Sequence, residues 1–240
     1  MNESGHPLPK FMFVTPPRPC PYLPGRIERD MFVELAPPNA DRLHLRLAHL
    51  GFRRSHNVVY RPDCPGCQSC ISVRVLVRQF RRPRGFQRIW RRNADLTAEI
   101  RPPVATREQF ALFQDYQRLR HGDGEMALMD FDDYRAMIEN TMVESHVIEF
   151  RDDEGRLVAT CLADQLADGL SAVYSFFDAG QGRRSLGNHM ILWLIETARR
   201  DGLPFVYLGY WIRHSQKMAY KSRFQPLEGL GANGWNRLAV

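Results

Sequence analysis

Residues 146–177 read HVIEFRDDEGRLVATCLADQLADGLSAVYSFF. Three apolar-rich runs, His146–Phe150, Leu157–Leu162 and Leu170–Phe177, are separated by the turn formers Asp152-Asp153-Glu154-Gly155 and Ala167-Asp168-Gly169. Strand-length runs at hairpin spacing predict an antiparallel meander. Upstream of it, Thr106 with Gln109 makes a capping box that opens a helix through Phe110, Phe113 and Tyr116 to about Leu119, and a second helix fits Phe131 to Met142. Downstream, Leu186, Met190, Leu194 and Ala198 recur at helical spacing over 186–199, and a strand follows at Phe205–Trp211. Nearer the front, Pro16, Pro17, Pro19, Pro21 and Pro24 forbid regular helix. A short helix is expected over Asp41–Leu50, stopped by Gly51, and a strand over Val73–Val77. Pro102-Pro103 set the expected boundary between a front domain, 1–101, and a rear domain, 102–240.

The chain has 240 residues, 44% hydrophobic and 25% charged, which excludes disorder and collagen-like repeats. Its longest apolar run, Met190–Ile195, falls far short of the ~20 residues that cross a bilayer, so neither a membrane span nor an export signal is expected, and a cytoplasmic location is. Five cysteines are too few and too clustered for a disulfide scaffold; thiols are expected free or on metal. The net charge of +6 conceals an uneven distribution. Residues 1–101 hold 18 basic and 8 acidic side chains, 102–182 hold 6 and 16, and 183–240 hold 9 and 3. Polyanion binding is therefore expected on part of the surface only.

The order helix, helix, three strands, helix, strand resembles a GNAT-type acyltransferase core. The resemblance implies an α/β (α+β) fold, with a smaller basic, cysteine-containing domain in front. Arg184-Ser185-Leu186-Gly187-Asn188-His189 is similar to that family's pyrophosphate-binding turn but puts His189 where a small residue belongs. A bulky ring there would crowd a pyrophosphate, which argues against coenzyme A as donor. An ordinary helix start capped by Ser185 accounts for the same residues.

The front third carries Cys20-Pro21-Tyr22-Leu23-Pro24-Gly25-Arg26, then Gly51-Phe52-Arg53-Arg54-Ser55, then Tyr60-Arg61-Pro62-Asp63-Cys64-Pro65-Gly66-Cys67-Gln68-Ser69-Cys70. The rear carries Tyr174-Ser175-Phe176-Phe177-Asp178, Tyr207-Leu208-Gly209-Tyr210-Trp211-Ile212, Ser215-Gln216-Lys217-Met218 and Tyr220-Lys221. Together these strings resemble the two domains of the aminoacyl-tRNA protein transferases, in the family's order and over most of the chain. Length and a single front cysteine are similar to the bacterial, leucyl-transferring branch. The arginyl-transferring branch has a second cysteine three places after the first, where Leu23 stands here. The resemblance implies transfer of leucine from leucyl-tRNA to proteins with N-terminal Asp or Glu, marking them for N-degron degradation, with arginyl transfer as the alternative within the family. It implies charged tRNA and acidic N-termini as partners, no membrane, and no required cofactor.

That chemistry asks little of a base. The donor ester is already activated, and an α-amine with a pKa of ~8 is partly neutral at physiological pH. Positioning can supply much of the acceleration, with donors for the tetrahedral oxyanion and a proton acceptor supplying the rest. For the tRNA, Arg78, Arg81, Arg82, Arg84, Arg88, Arg91 and Arg92 fall within fifteen residues with no acid, interleaved with Phe80, Phe86 and Trp90. Arginine forks suit phosphates, and the rings either stack on unpaired bases or lie in the core. For the acidic acceptor, Arg26, Arg53, Arg54 and Arg61 are candidates, with Tyr22 in the same strings; pairing with Asp30, Asp41 or Asp63 is the structural alternative.

For the ester end, Phe205–Trp211 is expected to alternate Phe205, Tyr207, Gly209 and Trp211 on one face against Val206, Leu208 and Tyr210 on the other. Gly209 suits a strand only where something approaches the backbone closely. Tyr207 or Tyr210 is the candidate oxyanion or proton-handling group, and Lys217 with Lys221, expected to share a helix face with Tyr220, the contact to terminal phosphates. Buried tyrosines and a solvated lysine face are the alternative. Cys64, Cys67 and Cys70, with Cys20, have spacing that would let four thiols hold zinc or an iron–sulfur cluster, against reduced thiols near the surface; Cys161 reads as core. Two readings from other classes remain, a coenzyme A-dependent acetyltransferase and a non-enzymatic nucleic-acid-binding protein.

Overall fold

The computed structural model describes residues 12–122 and 124–239. The front of the chain forms β1 (Phe13–Val14), β2 (Arg18–Pro19), β3 (Ile27–Glu28), β4 (Asp30–Glu34), α1 (Ala40–His49), β5 (Arg53–Ser55) and β6 (Val58–Pro62). Strands β1, β4, β6 and β5 make a small sheet in that order, and β2 pairs with β3 as a separate hairpin. Val33, Leu35, Leu47, Phe52 and Val59 close its core against Val143 from the rear of the chain. Gly51 ends α1 with φ of +86°, a turn that a side chain resists.

The remainder supplies β7 (Ile71–Leu76), α2 (Arg84–Arg92), β8 (Thr97–Arg101), α3 (Arg107–Arg120), α4 (Phe131–Glu139), β9 (Ser145–Arg151), β10 (Leu157–Leu166), β11 (Gly169–Phe177), α5 (Leu186–Arg200), β12 (Phe205–Trp211), β13 (Leu227–Gly231) and β14 (Gly234–Arg237). These strands form one eight-stranded sheet in the order β14, β13, β7, β12, β11, β10, β9, β8. The expected meander is present, with β9, β10 and β11 antiparallel neighbours. So is the capping box at Thr106, which bonds reciprocally with Gln109. α4 ends three residues earlier than expected, at Glu139, and Thr141 beyond it turns its hydroxyl onto the Val143 carbonyl at 3.1 Å.

The large sheet runs across the boundary expected at 101/102. β7 lies between β12 and β13, and β8 extends the meander by pairing with β9. The small front sheet and α1, which form a front layer, are drawn from residues 13–62. Helices α2 and α5 cover one face of the large sheet, through Phe86, Ile89, Met190, Leu194 and Ala198. The opposite face is covered by α3 and α4, through Phe113, Tyr134, Met137 and Ile138, and by α1, whose Ala48 packs with Leu166 and Tyr207. The front layer consequently meets the sheet along β10, β11 and β12. Among the described residues no helix is long and apolar enough to cross a membrane.

Candidate active site

β11 and β12 run parallel but pair only at Gly169–Phe205, Leu170–Val206 and Ser171–Tyr207. Beyond that point they part, leaving carbonyls on β11 without strand partners. Arg53 from β5 enters the opening: its Nη2 donates to the Val173 carbonyl at 2.8 Å and to the Ala172 carbonyl at 3.4 Å. On the β12 side its guanidinium packs against Gly209, whose φ is +70°, and lies 6.0 Å from the Tyr210 ring.

Register shifts between Tyr207 and Gly209, and this one-residue irregularity breaks the expected alternation of β12. Val206, Leu208 and Trp211 face the α2–α5 core together, while Tyr207 and Tyr210 both face the front layer. Neither tyrosine has a free hydroxyl. Tyr207 donates to Asp168 Oδ2 at 3.0 Å and accepts from Arg74 Nη1 at 3.2 Å. Burial, with the Asp168 carboxylate beside it, pushes its pKa up. Tyr210 lies 2.8 Å from the Tyr60 carbonyl and 3.0 Å from the Gly51 carbonyl, and ties the front layer to the sheet. The expectation that one of them handles the oxyanion or a proton meets hydroxyls already committed to structure.

The lysine pair also departs from expectation. The turn after β12 is a short 3-10 helix, Ala219–Arg223, so Lys217 lies outside it and is exposed. Lys221 is buried, with Nζ donating to the Tyr210 carbonyl at 2.6 Å, while Tyr220 is exposed. The three share no face, and Lys221 is not placed to meet a phosphate. Burial, with the Arg53 charge added, pushes Lys221 well below an ordinary lysine pKa.

The four candidate arginines separate cleanly. Arg54 is fully buried and grips Asp164 through Nε at 2.7 Å and Nη2 at 2.6 Å, with Nη1 on the His56 carbonyl. It is a structural clamp between β5 and β10. Arg61 reaches the Leu50 carbonyl at 3.1 Å and lies over the Phe52 ring. Arg54 is thus committed to Asp164. Arg26 is exposed on the rim of a cleft of about 430 Å³, lined also by Tyr22, Tyr60, Tyr210, Cys20, Cys64, Cys67 and Cys70. Burial raises the Tyr22 hydroxyl to about 12, so it is a neutral donor there. Arg53 stands behind the same tyrosines.

The four front cysteines line this cleft as free thiols but bond apart from one another: Cys64 Sγ to the Arg29 carbonyl at 3.7 Å, Cys67 Sγ to Ser69 Oγ at 3.5 Å. Among the described residues no three ligating side chains gather to hold an ion. Cys161 is core, as expected.

On α2 the arginines and the rings take opposite sides. Phe86 is buried and stacked on Phe224 at 4.5 Å, and Phe80 lies in the same core, so these rings do not present themselves to bases. Arg78, Arg81, Arg84, Arg88, Arg91 and Arg92 are exposed. Arg82 differs: it covers the Trp90 ring at 4.4 Å and lies 3.5 Å from Glu196. Arg223, exposed on the turn that also holds Lys221, rests 5.3 Å from the Phe86 ring.

The start of α5 differs from both expectations. Ser185 has φ of +55° and makes no cap bond, and its hydroxyl is met by the Asn188 side chain at 2.8 Å. His189 is buried between Trp90 and Phe150, so its ring does not crowd the turn. Arg184 is taken by Asp95 at 2.7 and 2.8 Å. Sequence reasoning missed the polar network of His49, Asp168 and Arg74 at the far end of β12, and the one-residue irregularity that orients it. No periodic signal marks either.

Family models described as the N terminus and the C terminus of arginine-tRNA-protein transferase match residues 18–95 and 108–231. A protein of Paramagnetospirillum magneticum named aspartate/glutamate leucyltransferase is 54% identical over 96% of this chain and 95% of its own. Proteins of the same name from Rhodospirillum rubrum and Granulibacter bethesdensis are 55% and 50% identical, over 98% and 99% of this chain and 96% and 90% of their own.

Proposed function

The chain belongs to the arginine-tRNA-protein transferase family, and from that premise we propose that it carries the activity its relatives are named for, transfer of leucine from leucyl-tRNA to proteins beginning with aspartate or glutamate. The observation that carries this reading is the exposed arginine face of α2, with Arg223 exposed on the turn that follows β12. The acceptor stem would lie on Arg78, Arg81, Arg84, Arg88, Arg91 and Arg92.

The chemistry is chiefly positioning. An aminoacyl ester and a partly neutral amine react once held in attack geometry, and the tyrosine hydroxyls of β12 are already committed. Arg26 and Arg53, with Tyr22, are the side chains left to receive an acidic N-terminus, and a cytoplasmic setting suits both substrates. Arginyl transfer remains the alternative within the family.

The test is incubation with radiolabelled leucyl-tRNA or arginyl-tRNA and peptides beginning with Asp, Arg or Ala. Label from leucyl-tRNA on the Asp peptide alone is the expected result. Label from arginyl-tRNA only would overturn the leucyl assignment, and tRNA retention without product would overturn the enzymatic one.

A further inference from the structure

We propose that Arg53 receives the side-chain carboxylate of the acceptor's first residue, and that position 209 is glycine so that Arg53 can occupy the opening between β11 and β12. The proposal deepens the function given above, since it names the group that reads the acidic residue.

Arg53, like Arg61 but unlike several arginines around it, has no counter-ion among the described residues. Arg18 pairs with Glu28 and Asp30, Arg29 with Asp63, Arg54 with Asp164 and Arg74 with Glu228. Among the described residues no carboxylate lies within ion-pair distance of Arg53, whose bonds go only to the Val173 and Ala172 carbonyls. Holding a part-buried cation without an anion is unfavourable, and a carboxylate from outside would offset that cost. Nε and Nη1 make no hydrogen bond among the described residues, yet neither is a buried atom left without a partner. Donors therefore remain open on the guanidinium for a planar, charge-assisted contact.

The surroundings suit a short acidic side chain. Tyr60 and Tyr210 join the cleft to Arg53, with their rings 6.0 Å apart and Tyr210 beside the guanidinium. Phenol walls exclude water, which strengthens an ion pair formed between them. Arg26 on the rim is exposed, and its contact with a carboxylate would be screened.

Gly209 supplies the independent observation. A Cβ there would stand 2.4 Å from Arg53 Nε and 2.5 Å from Cδ and Cζ. With φ of +70° the position favours glycine on backbone grounds as well. What it permits here is the placement of one guanidinium.

Calorimetric titration of the full chain with peptides identical except for Asp or Asn at the first position tests the proposal, because the two differ by one charge at equal size. The wild type should prefer Asp roughly tenfold or more, the range for a charge-assisted bond. Arg53→Met should abolish the preference and Arg53→Lys should weaken it. Gly209→Ala should act in the same direction as Arg53→Met without touching the arginine itself, and Arg26→Ala should leave the preference in place. Equal wild-type affinity for both peptides, or a preference that survives undiminished in Arg53→Met, overturns it. A preference for Asp without leucyl transfer would instead leave this site standing and remove the activity proposed above.

Discussion

At the seam between the front layer and the large sheet, arginine is bound inward: Arg54 holds Asp164, Arg61 a carbonyl, and Arg53 two carbonyls. On α2 the same residue type is turned outward, with Phe86 and Ile89 taking the buried face and Arg84, Arg88 and Arg91 the exposed one. The contrast follows from desolvation. A guanidinium drawn out of water must find an anion or a set of carbonyls, whereas one on a helix surface keeps its hydration and stays available to a polyanion. Arginine density in the sequence is therefore the same signal for two unlike uses, and burial separates them.

The sharpest way to break this contrast is at Arg54. Removing its side chain leaves Asp164 fully buried, with Ser145 as hydrogen-bond partner and His44 at 3.8 Å. Arg54→Ala should cost about 3–5 kcal/mol of unfolding free energy, read by urea denaturation. Arg54→Met with Asp164→Leu together should recover most of that loss, since no charge is then stranded. A loss below ~1 kcal/mol in the single variant would mean that the seam tolerates unpaired charge, and the contrast fails.

The next effect is set by pH and bears on how α2 is attached. His189 packs against Trp90 of α2, and burial lowers its pKa from 6.5 to about 4. Between those values the unfolded chain binds the proton and the folded chain does not, so stability falls as pH drops through the window and is complete above it. The contribution is of order 3 kcal/mol between pH 6.5 and 4. His189→Leu should flatten the curve of unfolding free energy between pH 7 and pH 5. An equally steep decline in that variant would assign the acid sensitivity to other groups.

Most of the large sheet was legible because it is written in local terms. The runs 146–150, 157–162 and 170–177 carry their own turns, and Thr106 and Gln109 sit three places apart. The place of β7 was not legible, since its partners β12 and β13 lie roughly 130 to 155 residues away and nothing local encodes a neighbour at that distance. Tyr207 and Tyr210 share a face only because the register shifts by one residue near Gly209, which a period of two cannot anticipate. That something must approach Gly209 closely was readable; that the visitor is Arg53 was not. Arg53 and Arg54 are adjacent in one string, yet one is clamped on Asp164 and the other stands open.

The smallest effect on folding should come from α2 itself, and the choice of residues matters. Arg82 lies on Trp90 near Glu196, so replacing it mixes a packing change with a charge change. Arg84, Arg88 and Arg91 stand four and three residues apart on the exposed side and make no ion pair among the described residues. Reversing all three to glutamate should leave the unfolding midpoint nearly unaltered, because no buried group loses a partner. tRNA affinity should fall, and the dependence of log affinity on log salt should flatten by about one unit per arginine that meets a phosphate. Filter binding from 50 to 200 mM salt reads both quantities. A slope equal to that of the wild type would place the RNA on another surface, even if affinity dropped, because long-range repulsion lowers binding without releasing fewer counterions from the contact.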